Sequence, residues 1–490
     1  MGIKHFFPWF SRKHDKWVSK HIPEHIDTLS IDLNGIFHPV AQRVFQYGDF
    51  APLQSMLRPN RKLTERDIAL RTERCFKEIC DKIDWIINIL SPKKRIILCI
   101  DGVAPFAKQK QQRERRFRYA AFGKAFDSCA ISTGTVFMDK LDEYLHDFIH
   151  RCKKTHWQHL EIVYSSGKIT GEGEHKCIRL MQQLCSSDEI AMIYGMDCDL
   201  IMLCLASFIP NLYICRPQPR NHSIHDFVNI TGCSNDIRKT KGMTISDYLV
   251  ICFLVGNDFL PKNPSNISLD NALNQYEEPL TQRIEDEETK GVRWILKPKE
   301  LLCFFARLAK NTKINNDKNA FYSKKIGFDS KSKKFKQWCI DYLDGFQWVL
   351  QYYMEGTKDW QWGFQYNYAP FLDDIVECLG ECLNDGELEL SKITKSDPLS
   401  SFEQLLAILP PQSNALLPEP LKELPFSDEL KEFYPLTHEL DADDITYDWE
   451  AIVILPMLNL GKLRDEYQKV NEIHNLDRHP LNQSKEVVIL

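Results

Sequence analysis

Short apolar runs bounded by glycine, proline or acidic residues recur through the first half of the chain. Five of them have the length and residue types of strands: Thr28–Ile31, Ile96–Ile100, Leu160–Tyr164, Ile190–Tyr194 and Leu212–Cys215. The run Ile96–Ile100 is continuously apolar, as a strand buried on both faces is. Apolar residues at helical spacing predict helices over Leu63–Ile89 and Ile245–Val255. Strands that alternate with helices predict an α/β fold with a mainly parallel, twisted sheet flanked by helices.

Acidic residues follow these elements closely, and the carboxyl ends of parallel strands meet at one edge of a sheet. The seven candidates are Asp32, Asp101, Glu172, Glu174, Asp197, Asp199 and Asp258. Repulsion among them would raise several of their pKa values, and divalent cations relieve it. Oxygen ligands favour Mg²⁺ or Mn²⁺. Two such ions close together can activate a water molecule and stabilise the leaving oxygen in phosphodiester cleavage. Alternatively, Asp32 marks an ordinary turn, and Glu172 and Glu174 mark a helix start.

A basic helix is predicted shortly after Asp101, because Pro105 favours a first helical turn. Four of its residues lie at i, i+4, i+7 and i+8 and therefore share one face: Lys108, Gln112, Arg115 and Arg116. Three cations and an amide beside a strand-end carboxylate are suited to hold a phosphate next to a metal ion. A solvated basic helix face is the plainer alternative.

Composition narrows the class of protein. The 490 residues exceed one ordinary domain, and 43% hydrophobic residues suffice for a large core. No apolar run would span a bilayer and the first residues lack a signal-peptide core, so we expect no membrane partner. We expect an intracellular protein, in the cytoplasm rather than the nucleus. Sixteen cysteines without regular spacing predict reduced thiols. The net charge of −6 argues weakly against nucleic-acid binding, although cation-binding acids would bias this sum.

The second half of the chain carries weaker chemical signals. Residues 310–336 are rich in Lys, Asn, Asp and Ser and predict a loop or insertion, either a solvated linker or a patch that follows phosphates. Residues 338–370 are dense in aromatic side chains, which are mostly core, with one available as a platform for base stacking. Residues 408–426 are proline-rich and predict an extended path over the surface.

The chain resembles the eukaryotic 5′→3′ exoribonucleases of the XRN family over nearly its whole length. In the first half the similar segments are MGIKHFFPWFS, IDLNGIFH, DGVAPFAKQKQQRERRF, FDSCAISTGTVFM, GEGEHK, YGMDCDLIML and FLVGNDFLP. In the second half they are WVLQYYMEG, DWQWGFQYNYAPF, SFEQLLAILPPQS and WEAIVILP. Single segments are weak signals, but their combination in the family's order is specific.

The resemblance implies a fold and an activity. Residues 1–270 would form a nuclease core of the PIN and flap-nuclease type, and residues 271–490 a mostly helical region that wraps it and completes an RNA channel. The implied activity is processive, metal-dependent hydrolysis of single-stranded RNA from a 5′-monophosphate end to mononucleotides, in RNA decay. No protein partner, such as a decapping or activating factor, is readable from the sequence.

The resemblance also assigns roles to residues. The seven acids match the ligands of two Mg²⁺ or Mn²⁺ ions, and the four residues on the basic helix face match the pocket for the 5′-phosphate. His38 matches a residue that stacks on the first nucleotides, and its partner is either Trp360 or Trp362.

Several departures from the family pattern are visible. Phe106 stands where the family has Arg, Thr170 where it has Pro, and Asn367 where it has His. By comparison with the family pattern, we expect the chain to lack the helical insertion after RRFR, the zinc knuckle of nuclear members and the long C-terminal extension of the large cytoplasmic ones. We therefore expect a compact form, such as a virus or another compact genome would encode.

Two other functions fit parts of the pattern. A flap-endonuclease-type enzyme acting on DNA would share the acids, but not the AKxxxQxxRR segment or the second half. An inactive RNA-binding scaffold would be expected to have lost at least one acid, because an acid cluster without cations is destabilising. All seven acids are present, which favours the enzyme.

Overall fold

The fold is taken from a computed structural model of the chain. It describes residues 5–50, 64–120, 126–218, 221–286, 291–312, 318–386, 394–443 and 450–490. The predicted absence of a helical insertion concerns residues 121–125, which lie outside the described residues.

The described strands are β1 Val18–Ser19, β2 Thr28–Asp32, β3 Arg95–Cys99, β4 Glu161–Ser165, β5 Ala191–Tyr194, β6 Leu212–Gln218, β7 Asn221–Asn229, β8 Thr281–Asp286, β9 Gly291–Leu296, β10 Glu439–Asp441, β11 Ile452–Ile454 and β12 Val488–Ile489. The described helices are α1 Phe6–Lys13, α2 Asn34–Phe45, α3 Glu65–Leu90, α4 Phe106–Ala120, α5 Val136–Lys154, α6 Gly173–Leu184, α7 Asp199–Ala206, α8 Ile230–Lys239, α9 Ile245–Phe253, α10 Leu269–Asn274, α11 Pro298–Lys310, α12 Lys318–Lys325, α13 Lys333–Glu355, α14 Leu372–Asp385, α15 Ser401–Ile408 and α16 Leu460–His474.

One large sheet organises the first half. Its strand order is β1-β7-β6-β5-β2-β3-β4-β12. The five strands from β6 to β4 are parallel, and the pairings β1–β7, β7–β6 and β4–β12 are antiparallel. The five predicted strands are confirmed, and the predicted α/β class with them. The chain begins this parallel set at β2, continues outward through β3 and β4, and then returns to β5 on the other side of β2. That reversal creates a crevice at the carboxyl ends of β2 and β5, which is where α/β sheets bind ligands.

Both faces of the parallel strands are buried, as continuous apolar runs require. Alternate side chains of β3 point into different cores: Ile97 and Cys99 into one, Ile96 and Leu98 into the other. The sheet is therefore held rigidly from both sides, and its carboxyl edge is the part left available for polar chemistry. Within the described residues, no helix combines the length and the apolar character needed to cross a bilayer.

The second half is mostly helical, with small additions of strand. The hairpin of β8 and β9 and the pair β10–β11 form separate two-stranded sheets, while β12 joins the large sheet beside β4. The predicted boundary near residue 270 stays a prediction.

Two predictions for the second half were wrong in part. Residues 310–336 are not simply a loop, because α12 and the start of α13 lie within them. Several lysines there form ion pairs with acids, including Lys318 with Asp374 and Lys325 with Asp441. Residues 408–426 contain short 3₁₀ turns rather than a simple extended path, because their prolines occupy first-turn positions.

Candidate active site

The ends of β2 and β3 are tied together through one asparagine. Asp32 is the last residue of β2, and Asp101 lies two residues beyond the end of β3. The amide side chain of Asn34 accepts a hydrogen bond from the Asp101 N–H at 2.9 Å, and the Asn34 N–H donates to Asp32 Oδ1 at 3.2 Å. The two carboxylates are thereby fixed side by side at the carboxyl edge of the sheet.

Helix α6 brings its N-terminus against this pair. The N–H of Gly173 donates to Asp101 Oδ1 at 2.6 Å. A Cβ atom at position 173 would lie 2.5 Å from Asp32 Oδ1 and 3.1 Å from Asp101 Oδ1. Any side chain would collide with these carboxylates, so glycine between Glu172 and Glu174 allows the helix to approach the strand ends.

A second group of acids comes from α6 and from the turn after β5. Glu174, Asp197 and Asp199 each offer a carboxylate oxygen, and these three atoms lie within 4.8 Å of one another. Asp199 is the first residue of α7, and its Oδ1 is buried without a hydrogen-bond partner among the described residues. An unsatisfied buried acceptor beside two further carboxylates suits a bound cation.

Lys108, from α4, occupies the centre of a third group. Its Nζ lies 2.9 Å from Asp258 Oδ2, 3.0 Å from Glu172 Oε2 and 3.7 Å from Asp199 Oδ2. Burial opposes its charge, yet Asp258, Glu172 and Asp199 together raise the pKa of Lys108 well above its usual value. Since Asp199 belongs to both groups, the structure gathers all seven predicted acids into one cluster. Their role as metal ligands stays a prediction.

The pKa shifts show how the cluster bears its negative charge. Burial raises the pKa of Asp32 well above its usual range, and the charge of Asp101 raises it further. Burial, Asp199 and Asp197 do the same to the pKa of Glu174. Burial raises the pKa of Asp199 to about 6, a smaller shift because Lys108 opposes it. Burial and the neighbouring carboxylates therefore favour the protonated forms of these groups when no cation is bound.

The rest of the predicted phosphate pocket lies further along α4. Arg116 donates from Nη2 to Ser132 Oγ at 2.8 Å, and its Nη1 lies 3.5 Å from Gln112 Oε1. His38 lies near this group, since burial and the charges of Arg115 and Arg116 lower its pKa to about 3. The structure thus brings His38 and the predicted pocket residues together next to the acids, with Lys108 turned furthest into them.

The two candidate tryptophans differ in their surroundings. Trp362 stacks on Trp348 with ring centroids 4.8 Å apart and an angle of 21° between the rings. The Trp360 carbonyl accepts the N–H of Phe106 at 2.8 Å, which ties this loop to the start of α4. Both indoles are partly exposed. Which one stacks on a nucleotide stays open.

Tyr352 touches the acid cluster and was not predicted. Its hydroxyl donates to Glu172 Oε1 at 2.5 Å. Its ring stacks on Trp348 at 5.4 Å and 18°, which extends the stack begun by Trp362 toward the acids. No sequence signal separated it from the other aromatics of residues 338–370, because an aromatic-dense segment shows burial but not which hydroxyl meets a carboxylate.

Two models of protein families match this chain. The model of the XRN 5'-3' exonuclease N-terminus matches residues 1–123 and 120–218, and the model of the Xrn1 helical domain matches residues 315–489. The chain carries both conserved regions and belongs to the XRN 5'-3' exonuclease family.

Curated relatives align with nearly the whole chain. The human 5'-3' exoribonuclease 1 is 26% identical, over 100% of this chain and 35% of the relative. The Saccharomyces cerevisiae 5'-3' exoribonuclease 1 is 24% identical, over 96% of this chain and 43% of the relative. The Drosophila melanogaster 5'-3' exoribonuclease 2 homolog is 24% identical, over 94% of this chain and 70% of the relative. The chain therefore spans less than half the length of the first two.

Among solved structures, the catalytic core of Rad2 in complex with DNA substrate resembles the chain weakly. The TM-score is 0.36 and the identity 12%, over 76% of this chain and 94% of that one. A likeness of this size carries no conclusion about function.

Proposed function

We propose that the protein is a divalent-metal-dependent 5′→3′ exoribonuclease that degrades single-stranded RNA carrying a 5′-monophosphate to mononucleotides. The observation that carries this proposal is that a single helix, α4, connects the acid cluster to the predicted phosphate pocket. On α4, Lys108 contacts three carboxylates of the acid cluster, and one to two turns further Gln112, Arg115 and Arg116 form a cationic group beside His38. The names of the curated relatives support the same activity.

The donor set of the acid cluster fits divalent metal ions. It consists of carboxylate oxygens, it contains a buried oxygen on Asp199 without a hydrogen-bond partner among the described residues, and burial together with mutual repulsion raises several of its pKa values. Hard oxygen donors suit Mg²⁺ or Mn²⁺. The seven acids would hold two such ions, which would supply an activated water and stabilise the leaving oxygen.

The residues of the chain would perform the remaining tasks. Arg115 and Arg116 would hold the terminal phosphate by charge-assisted hydrogen bonds, and Gln112 would orient it. This grip would set the register, so that the next phosphodiester lies beside the acids. Lys108, which contacts three of the carboxylates and is carried by the same helix as the arginines, would balance charge between phosphate and carboxylates. His38, whose lowered pKa leaves it neutral, would offer its ring to a base.

Selectivity would follow from the same pocket. A grip that closes around one phosphate would exclude a cap or a triphosphate, and an entrance for one strand would exclude duplex. Processive action, a role in RNA decay and an intracellular, cytoplasmic setting belong to this proposal and rest on the family alone.

The test uses the purified chain with Mn²⁺ and an RNA labelled at its 3′ end. The RNA carries a 5′-monophosphate, hydroxyl, triphosphate or cap in separate reactions, and a DNA flap of equal length serves as a further substrate. Asp199→Asn, which keeps the side-chain shape, is the matched control. We expect loss of the monophosphorylated RNA to mononucleotides, with the control inactive.

Other outcomes would favour the alternatives. Equal degradation of triphosphorylated and monophosphorylated RNA would contradict the pocket assignment. Preference for the DNA flap would indicate an endonuclease of the flap type. RNA binding without cleavage, at saturating Mn²⁺, would indicate a scaffold.

A further inference from the structure

The two oxygens of Glu172 have different partners. Oε2 faces Lys108 at 3.0 Å, within the acid cluster, while Oε1 accepts the Tyr352 hydroxyl at 2.5 Å. Glu172 is the residue that caps α6, but its side chain makes no capping hydrogen bond to that helix. Its direction is therefore set by Tyr352 and Lys108 rather than by the helix that carries it.

The Tyr352 ring itself has little freedom. It is 5% exposed and lies against Phe259 at 4.6 Å in an edge-to-face arrangement, against His175 at 4.2 Å, and on Trp348 at 5.4 Å. Rings packed on several sides lose rotamer freedom, so the hydroxyl is presented at a fixed point. A carboxylate that meets a fixed donor on one oxygen keeps the other oxygen in a constant direction.

We propose that Tyr352 is a positioning residue, which turns Glu172 so that Oε2 is presented to a divalent cation in the acid cluster. The proposal rests on the proposed function, because it assumes that this cluster binds the metal. It assigns a part in the nuclease site to α13, a helix of the second conserved region. Tyr352 acts through Glu172 and touches neither metal nor RNA in this scheme.

The test measures Mn²⁺ binding to the 490-residue chain, without RNA, by isothermal titration calorimetry. Tyr352→Phe removes the hydroxyl and keeps the ring. Hydrogen bonds to ligating carboxylates typically change metal affinity 10- to 100-fold, so we expect the Kd for Mn²⁺ to rise about tenfold. RNA cleavage by this variant should recover at saturating Mn²⁺, which a damaged fold would not allow.

Two further variants make the test specific. Tyr434→Phe is the matched control, because it also removes a buried hydroxyl, one that donates to the Leu406 carbonyl at 2.7 Å, and it should leave the Kd unchanged. Combining Tyr352→Phe with Glu172→Ala should give no loss beyond that of Glu172→Ala, since Tyr352 acts only through Glu172. Trp348→Leu keeps the Tyr352 hydroxyl but removes the ring on which Tyr352 stacks. It should weaken Mn²⁺ binding by a smaller factor than Tyr352→Phe does.

The possible results separate this proposal from the function it rests on. If the wild-type chain binds Mn²⁺ and degrades RNA while Tyr352→Phe shows an unchanged Kd, the positioning role is overturned and the function stands. If the Tyr352→Phe effect persists in the Glu172→Ala background, the role is also overturned. If the wild-type chain neither binds Mn²⁺ nor cleaves RNA, both fail together.

Discussion

Lys108 and Lys110 lie two residues apart on α4, yet their surroundings shift their pKa values in opposite directions. Lys108 meets three carboxylates, and these raise its pKa although burial opposes it. Lys110 donates instead to the carbonyl oxygens of Phe364 and Tyr366, both at 2.8 Å, and burial lowers its pKa. On the same helix, the surroundings of Lys108 stabilise its charged form, whereas burial destabilises the charged form of Lys110.

The difference extends to the arginines of the same helix. Arg113, on the side of Lys110, is buried, donates to the carbonyls of Ala407 and Phe433, and so ties α4 to the second half of the chain. Arg116, on the other side, is bonded only partly by Ser132 and Gln112. The backbone contacts of Lys110 and Arg113 therefore stabilise the fold, whereas Lys108 and Arg116 contact side chains of the candidate site.

The largest effect is expected for Arg116→Ala. Removing one charge-assisted contact to a phosphate should lower kcat/KM for monophosphorylated RNA about 10³-fold, equivalent to ~4 kcal/mol. The thermal midpoint should change little. Arg118→Ala is the control, because that guanidinium donates to the Ala451 carbonyl and should affect stability rather than cleavage. Equal losses of activity in both variants would contradict the division between the two sides of the helix.

Lys108→Met should have the next largest effect. It leaves three carboxylates without their ammonium, which should destabilise the metal-free protein by about 3 kcal/mol. Mn²⁺ should then raise the thermal midpoint of this variant more than that of the wild type, because the metal supplies the missing charge. Thermal unfolding in EDTA and in Mn²⁺ measures this, and an equal Mn²⁺ effect on both proteins would show that Lys108 and the metal do not share acids.

Lys110→Met is the matched partner of that variant and should have a smaller effect. It leaves the carbonyls of Phe364 and Tyr366 without a donor, a loss of about 1.5 kcal/mol. Mn²⁺ should raise its midpoint no more than that of the wild type, and cleavage per folded molecule should be unchanged. The comparison would fail if Mn²⁺ rescued both variants alike.

The smallest effect concerns pH. Asp199, with a pKa of about 6, and Glu174 and Asp32, with raised pKa values, bind protons more tightly folded than unfolded. Their stabilising contribution is therefore complete below their unfolded pKa values and is lost as pH rises through the folded ones. In EDTA, stability should therefore fall as the pH rises from about 4, near the unfolded pKa of these acids, through about 6, the folded pKa of Asp199, by on the order of 1 kcal/mol.

Differential scanning fluorimetry across this pH range measures the slope. Lys108→Met should steepen it, because the acids lose the cation that lowers the pKa of Asp199, whereas Lys110→Met should keep the wild-type slope. Mn²⁺ should flatten it, since the metal takes the place of the protons. Stability that increases with pH in EDTA would contradict the raised pKa values of these acids.

Sequence patterns were enough to predict the elements whose signal is periodic. Buried strands followed by Asp32 and Asp101, and the shared face of Lys108 and Arg116, follow from spacing alone. Spacing does not give depth, however. It places Lys108 and Arg116 on one face of the helix. It does not show that the Lys108 ammonium contacts the acids while the Arg116 guanidinium contacts Ser132.

Contacts between distant segments were not predictable. Tyr352 meets Glu172 only because α13 packs against α7 and α9, and nothing local to residues 338–370 indicates that packing. Helix α12 was missed because a Lys- and Asn-rich composition favours a loop, while burial of Tyr322 against Phe371 holds the helix in place. Composition reports the average of a segment, and tertiary packing decides its structure.

Strand β12 bears on the order in which the large sheet forms during synthesis. It lines the outer edge of β4, where Ile162 and Leu490 exchange backbone hydrogen bonds at 2.9 and 3.0 Å. Pairing between segments so far apart along the chain is slow to form. During synthesis the edge of β4 therefore stays open until residues near 490 have emerged, and an open edge is where chains pair wrongly with one another. The yield of folded protein thus depends on a few late residues that take no part in its chemistry.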